Sequence, residues 1–180
     1  MEDDIQTLIN GCKLNDRKSQ EQLYRKFHGA MASICMLYTK NQEDAKEVLN
    51  NGFLKVFRNI GQFDVARASF YTWIRKIIIN ASIDFLRKQH ISFTALPLEN
   101  VLEPGIDNTI VQQIEAEELL LFIRQLPPAT QLIFNLYTIE GFNHREIAIM
   151  LKISEGTSKW HLSEARKVLK NLIQIQRSEI

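Results

Sequence analysis

Long apolar runs are missing from this sequence. No stretch approaches the ~18 consecutive apolar residues that a membrane-spanning helix requires, and the opening MEDD has neither the basic nor the apolar part of a secretory signal. The expectation is a chain that stays in the cytoplasm. Cysteine is equally scarce: Cys12 and Cys35 are too far apart for a C-x-x-C pair, and neither stands near a metal-like histidine cluster. Two reduced thiols are expected, Cys35 in a core, and no metal. The patterns G-x-x-x-x-G-K-[ST], H-E-x-x-H and G-x-S-x-G do not occur. Nothing positions a nucleophile, so neither catalysis nor a cofactor is expected. Strand-like alternation is almost absent. Charge is low as well: a net +1 over 180 residues is little for a protein that grips DNA unaided, because phosphate neutralisation dominates nonspecific affinity.

What is present is a globular composition, 45% hydrophobic and 24% charged, with charge unevenly placed. Residues 65–90 hold five bases against Asp84, residues 91–126 hold six acids against Arg124, and residues 127–180 hold seven bases against five acids. Two basic segments flank an acidic bridge.

Apolar residues recur at helical spacing throughout, so the expected fold is all-α. Ser19 with Gln22 has capping-box spacing for a helix to about residue 39, and Asn41 can cap another to about residue 60. A strongly apolar helix covers 70–90. ISFTALPLENVLEPGIDN then brings prolines, a glycine and no period, which reads as a linker. Helices are expected at 109–125, 128–140, 144–151 and 155–174, with Pro127 and Pro128 at a boundary. The domains are thus two small helical ones, 1–90 and 112–180, joined by a flexible linker at 91–111.

In GFNHREIAIMLKISEGTSKWHLSEARKVL two helices meet at a very short turn. Asn143 and Glu146 fit the first cap and Ser154 the second. Ile147, Ala148 and Leu151 face inward toward Leu162, Ala165 and Leu169. That is helix-turn-helix patterning, whose second helix offers its first half to the major groove. Lys152 stands where a turn glycine would be easiest. His144 is expected on the surface and His161 in packing. The plainer alternative is a terminal amphipathic helix whose charges are solvated, with Glu164 and Lys167 pairing.

In FYTWIRKIIINASIDFLRKQH, Phe70, Ile74, Ile77, Ala81 and Phe85 form a core line, while Trp73, Lys76, Asn80, Asp84 and Arg87 form a second line. An aromatic followed by basic and amide groups suits stacking and hydrogen bonding to bases lifted from a duplex. The alternative puts Trp73 in the core and Asp84 in an ion pair with Arg87 or Lys88.

FYTWIRKIIINASIDFLRK resembles regions 2.3 to 2.4 of bacterial sigma-70 family factors, and LPPATQLIFNLYTIEGFNHREIAIMLKISEGTSKWHLSEARK resembles their region 4. DAKEVLNNGFLKVFRNIGQFD is similar to region 2.2. The order of these segments over 19–90 and 112–173, with a short linker, matches the extracytoplasmic function subfamily. The resemblance implies a subunit that directs core RNA polymerase to promoter DNA, with no chemistry of its own. Asp44, Glu47, Asn51, Phe53 and Lys55 would dock on the core polymerase, although Asn50, Asn51 and Gly52 depart from the usual glutamine and acidic pattern. Arg67, in the loop 64–69, and Trp73, Lys76, Asn80, Asp84 and Arg87 would read and melt the −10 element. Thr157, Lys159, Trp160, Ser163, Glu164, Arg166, Lys167 and Lys170 would read the −35 element. The acidic linker would act as a nucleic-acid mimic in a basic channel, and an anti-sigma factor is a family expectation. A conventional dimeric regulator would need only the C-terminal half and leaves the second line of 70–90 without a task. A pure interaction module would need neither set of DNA-reading residues.

Overall fold

The computed structural model describes residues 2–89 and 116–178, which fall in two compact units, Met1–Gln89 and His90–Ile180. All regular elements among them are helical, and the expected linker at 91–111 lies outside the described residues.

The first unit contains α1 (Glu2–Lys13), α2 (Arg17–Tyr38), α3 (Gln42–Asn59), a 3₁₀ turn (Ile60–Gln62) and α4 (Phe70–Lys88). Helix α1 was not anticipated from the sequence. It buries Leu8, Ile9 and Cys12 and packs on α2 and the 3₁₀ turn. Gly11 permits this tight hairpin, since a β-carbon there would collide with the side chain of Ser19. Helix α2 starts earlier than the Ser19–Gln22 spacing predicts. Its cap is Asp16, whose carboxylate accepts from the Ser19 hydroxyl at 2.6 Å and the Ser19 N–H at 2.9 Å. An anion satisfies both donors and complements the positive helix start, so Ser19 serves at the third position instead. These bonds hold the Asp16 carboxyl below its ordinary value. Asn41 caps α3 as expected, accepting from the Asp44 N–H at 2.8 Å, and Ser69 caps α4.

Helix α4 packs against both α2 and α3, so more than one stripe is buried. Phe70, Ile74 and Ala81 of the expected line are buried, but so are Ile78, Ile79, Ser82, Ile83 and Leu86, whereas Ile77 and Phe85 are half-buried. Cys12 and Cys35 are free thiols in the core, and burial pushes them up to about 11 and about 12.

The second unit contains α5 (Ala116–Arg124), α6 (Pro128–Phe134), α7 (His144–Leu151) and α8 (Glu155–Ser178). Pro127 caps α6 and Pro128 opens it, where a missing N–H costs nothing. The expected helix 128–140 is not uniform: its last turn, Asn135–Ile139, is a π turn, in which the Glu140 N–H reaches the Asn135 carbonyl at 3.0 Å. Gly141, at φ +78°, then ends it. Phe122, Ile123, Leu126 and Phe134 pack with Leu162, Ala165, Leu169 and Ile173 of α8 in one core.

Candidate nucleic-acid and polymerase interfaces

The helix-turn-helix is built by local hydrogen bonds. Asn143 accepts from the Glu146 N–H at 3.0 Å while Glu146 accepts from the Asn143 N–H at 2.8 Å, a reciprocal capping box. Lys152 takes the left-handed conformation, φ 57° and ψ 47°. The Ile153 N–H returns to the Ala148 carbonyl at 3.1 Å, the closure of a Schellman motif. Ser154 caps α8, accepting from the Thr157 N–H at 3.0 Å.

Two histidines fasten this motif. His144, expected on the surface, is half-exposed and held in place: its ring stacks on Tyr137 at 4.5 Å, and its Nδ1 lies 2.9 Å from Ser158 Oγ on α8. His161 is buried as expected, with Nδ1 3.0 Å from Thr130 Oγ1 of α6 and the Trp160 ring edge-on at 4.8 Å.

The outward face of α8 carries exposed Lys159, Lys167 and Lys170, with Trp160, Glu164 and Arg166 half-exposed. Two of the expected contacts are corrected. Thr157 is only 5% exposed, and its hydroxyl is 2.9 Å from Ser154 Oγ, so it belongs to the cap. Ser163 is 4% exposed. Glu164 stands 3.7 Å from Lys167 Nζ, too long for a strong hydrogen-bonded pair, so its carboxylate retains capacity for another donor.

In the first unit, Trp73 belongs to both alternatives at once. Half-buried, it joins an aromatic chain that leads out of the core: Phe27 to Phe70 at 5.4 Å, Phe70 to Trp73 at 5.6 Å, and Phe63 against both at 5.1 and 5.6 Å. Lys76 and Asn80 are exposed beyond it. The loop after Phe63 is shaped by Asp64, which accepts from the Ala66 N–H at 2.9 Å and pairs with exposed Arg67 at 3.4 Å. Asp84 does form an ion pair, with Arg87 at 3.5 Å as the alternative had it, but its closer partner is Lys55 of α3 at 2.7 Å.

Lys55, one of the expected docking residues, makes that contact and stays half-exposed. On α3, Asp44 is half-buried and receives Asn41 Nδ2 at 3.0 Å, and Glu47 and Asn51 are exposed. Phe53 is a correction: at 2% exposed it packs against Tyr24, ring centroids 4.6 Å apart, and cannot meet a partner. Leu54 occupies the outward position, 53% exposed. The sequence reading missed it, although 44, 47, 51 and 54 follow the three-four-three spacing of one helix face.

Among the described residues no group of three or more His, Cys, Asp or Glu is placed to hold a metal ion, and no helix is long and apolar enough to cross a membrane.

Comparison with known proteins gives these faces their context. Residues 23–90 match the family "Sigma-70 region 2", and residues 116–169 match "Sigma-70, region 4". The ECF RNA polymerase sigma factor SigM of Mycobacterium tuberculosis is 31% identical over 159 residues, covering 88% of this chain and 79% of the relative. SigW of Bacillus subtilis, also an ECF RNA polymerase sigma factor, is 24% identical over 195 residues, covering 97% of this chain and 99% of the relative. The solved structure of CnrH in complex with the cytosolic domain of CnrY shares the fold at a TM-score of 0.50 and 16% identity, over 96% of this chain and 98% of that one. The chain belongs to the extracytoplasmic function (ECF) subfamily of sigma-70 factors, and is a promoter-specific sigma factor that acts with RNA polymerase.

Proposed function

We propose that this sigma factor divides its task among three faces and performs no chemistry of its own. Asp44, Glu47 and Asn51 of α3, with Leu54 as the apolar anchor, dock on core polymerase; exposed apolar groups ringed by polar ones are the usual energetic centres of such contacts. Trp73, Lys76 and Asn80 of α4, with Asp84, Arg87 and loop residue Arg67, take up the opened −10 strand. Trp73 supplies a stacking surface braced from behind by Phe63 and Phe70, worth about 1–3 kcal/mol per stacked base. On α8, Lys159, Trp160 and Glu164 face base edges of the −35 element while Arg166, Lys167 and Lys170 hold phosphates.

The domains are 1–90 and 112–180 with a linker at 91–111. The chain works in the cytoplasm with core polymerase and promoter DNA, takes no cofactor, and has an anti-sigma partner; CnrH was solved in complex with the cytosolic domain of CnrY. The observation that carries the division of labour is the exposed polar line of α4 laid over a braced aromatic cluster, which a regulator that binds only duplex DNA has no use for.

Transcription in vitro with core polymerase, followed by start-site mapping and permanganate probing of promoter thymines, tests it. Asn80→Ala is expected to lower thymine reactivity with core binding intact. Glu164→Gln is expected to alter base preference upstream, whereas Lys170→Ala weakens all promoters alike. Specific DNA binding by the purified chain, unchanged by core polymerase, would favour the conventional regulator instead.

A further inference from the structure

The first turns of α8 bury an unusual set of side chains. Thr157, Ser158, His161 and Ser163 are buried there with Leu162, whereas the later turns bury Ala165, Leu169 and Ile173. Apolar packing is non-directional and tolerates a small rotation of a helix, but a hydrogen bond is held to a narrow range of distance and angle. Two such contacts cross from α8 to other elements. His161 Nδ1 meets Thr130 Oγ1 of α6 at 3.0 Å, and the fully buried Ser158 hydroxyl meets His144 Nδ1, at the start of α7, at 2.9 Å. The second is braced on both sides of the imidazole. The capping box of Asn143 and Glu146 fixes the backbone on which His144 stands, and its ring is stacked on Tyr137 with 23° between the ring planes. Tyr137 in turn packs on the core of the second unit. Lys159 and Trp160 follow Ser158 directly, the first exposed and the second half-exposed. With side-chain tips about 6 Å from the helix axis, a rotation of about 10° displaces them by about 1 Å. That is enough to spoil a base-edge contact.

Resting on the assignment of α8 to the base edges of the −35 element, we propose that Ser158 is a positioning residue for promoter discrimination: through its contact with His144 it sets the rotation of the first turn of α8, and with it where Lys159 and Trp160 meet the bases. Ser158 has no exposed surface and touches no DNA itself. Loss of the contact leaves the fold in place and frees the first turn to rotate. The holoenzyme then still holds the −35 duplex through its phosphates but distinguishes its bases less well.

The test uses holoenzyme reconstituted from core polymerase with Ser158→Ala, His144→Phe, Ser158→Ala/His144→Phe or His144→Asn. The probes are a duplex promoter selected by the wild-type holoenzyme from randomised −35 sequences and its single-base variants at those positions. Open complexes on each give a discrimination ratio, and a pre-opened template without upstream duplex reports the steps that do not use α8. Stability of the second unit is read separately by urea unfolding, followed by Trp160 fluorescence in a Trp73→Phe background. Ser158→Ala removes the contact from the α8 side and leaves every other contact of the imidazole as it was. It is expected to lower the discrimination ratio at one or two positions about three- to tenfold, the range one neutral hydrogen bond carries, with wild-type activity on the pre-opened template. The double variant should lose no more than Ser158→Ala alone, since two groups that act through one contact do not add. His144→Phe keeps a ring for Tyr137 and loses the polar atom, whereas His144→Asn loses the ring and keeps a polar atom on Cγ; the asparagine variant should be the less stable yet retain more discrimination. The reverse order of discrimination, additive losses in the double variant, or lower stability with unchanged ratios would make the contact purely structural and overturn the proposal. Lys159→Ala and Trp160→Ala separate the two levels: if they alter the ratios while Ser158→Ala is silent, only this inference falls, and if they too are silent the assignment of α8 falls with it.

Discussion

Gly52 lies buried where α3 crosses α4, in the middle of a helix that would otherwise favour a better helix former. A β-carbon at this position would fall on Ile78 Cδ1, far inside van der Waals contact, while Ile78 Cγ1 at 3.6 Å and Ala81 Cβ at 3.7 Å would be ordinary neighbours. Two opposing effects therefore meet in Gly52→Ala. Helix propensity favours alanine by about 1 kcal/mol. Overpacking the core opposes it by about 1–3 kcal/mol, since the terminal carbon of fully buried Ile78 must rotate away among core neighbours. The expected net result is destabilisation by about 1 kcal/mol. The conflict involves one atom, so it can be removed alone: Ile78→Val deletes Cδ1 and by itself costs about 0.5–1.5 kcal/mol. In the double variant the clash is gone and the propensity gain remains, so Gly52→Ala changes sign and becomes stabilising in the valine background. Urea unfolding of the full chain measures this, followed by Trp73 fluorescence in a Trp160→Phe background, since these are the two tryptophans and they lie in different units. Effects of Gly52→Ala and Ile78→Val that add within about 0.5 kcal/mol would refute the claim that this single contact sets the α3–α4 approach.

Three further outcomes are expected. Lys152→Gly relieves a left-handed conformation that costs an L-residue about 1 kcal/mol, less the added freedom of glycine in the unfolded chain, so the second unit gains up to about 0.5 kcal/mol; Lys152→Val loses stability, and Trp160 fluorescence during urea unfolding gives the order of the series. Asp16→Ala lowers the unfolding midpoint of the first unit at neutral pH. Because the folded-state value of Asp16 is depressed, its contribution is present above the unfolded value near pH 4 and disappears as pH falls through the folded one; the gap between variant and wild type should close in acid, and a gap that widens would contradict the cap. Cys12 and Cys35, held up to about 11 and about 12 by burial, should react with a disulfide reagent at pH 8 only after unfolding in urea.

The amino-acid sequence alone determined everything that depends on neighbours a few residues apart. Asn41, Ser69, Asn143 with Glu146, and Ser154 cap helices because a side-chain oxygen three residues before an orphan N–H needs no other part of the protein. The helix-turn-helix, with Lys152 forced to positive φ, was legible for the same reason, and the ordered motifs carried the family. Tertiary structure decided which side of each helix is covered, and by what. The Asp16 cap is equally local, three residues before the Ser19 N–H, and the Ser19–Gln22 spacing overlooked it, whereas α1 became a helix once Gly11 allowed it against α2. Phe53 and Leu54 are adjacent apolar residues of one helix; Phe53 packs against Tyr24 and Phe57 and is buried, while Leu54 is left exposed. Thr157 and Ser163 have outward-compatible spacing but are buried, Thr157 in its cap bond to Ser154. Lys55 and Asp84 meet across 29 residues because α3 and α4 approach closely at Gly52, and a contact between distant charges follows from helix crossing, which no local pattern encodes.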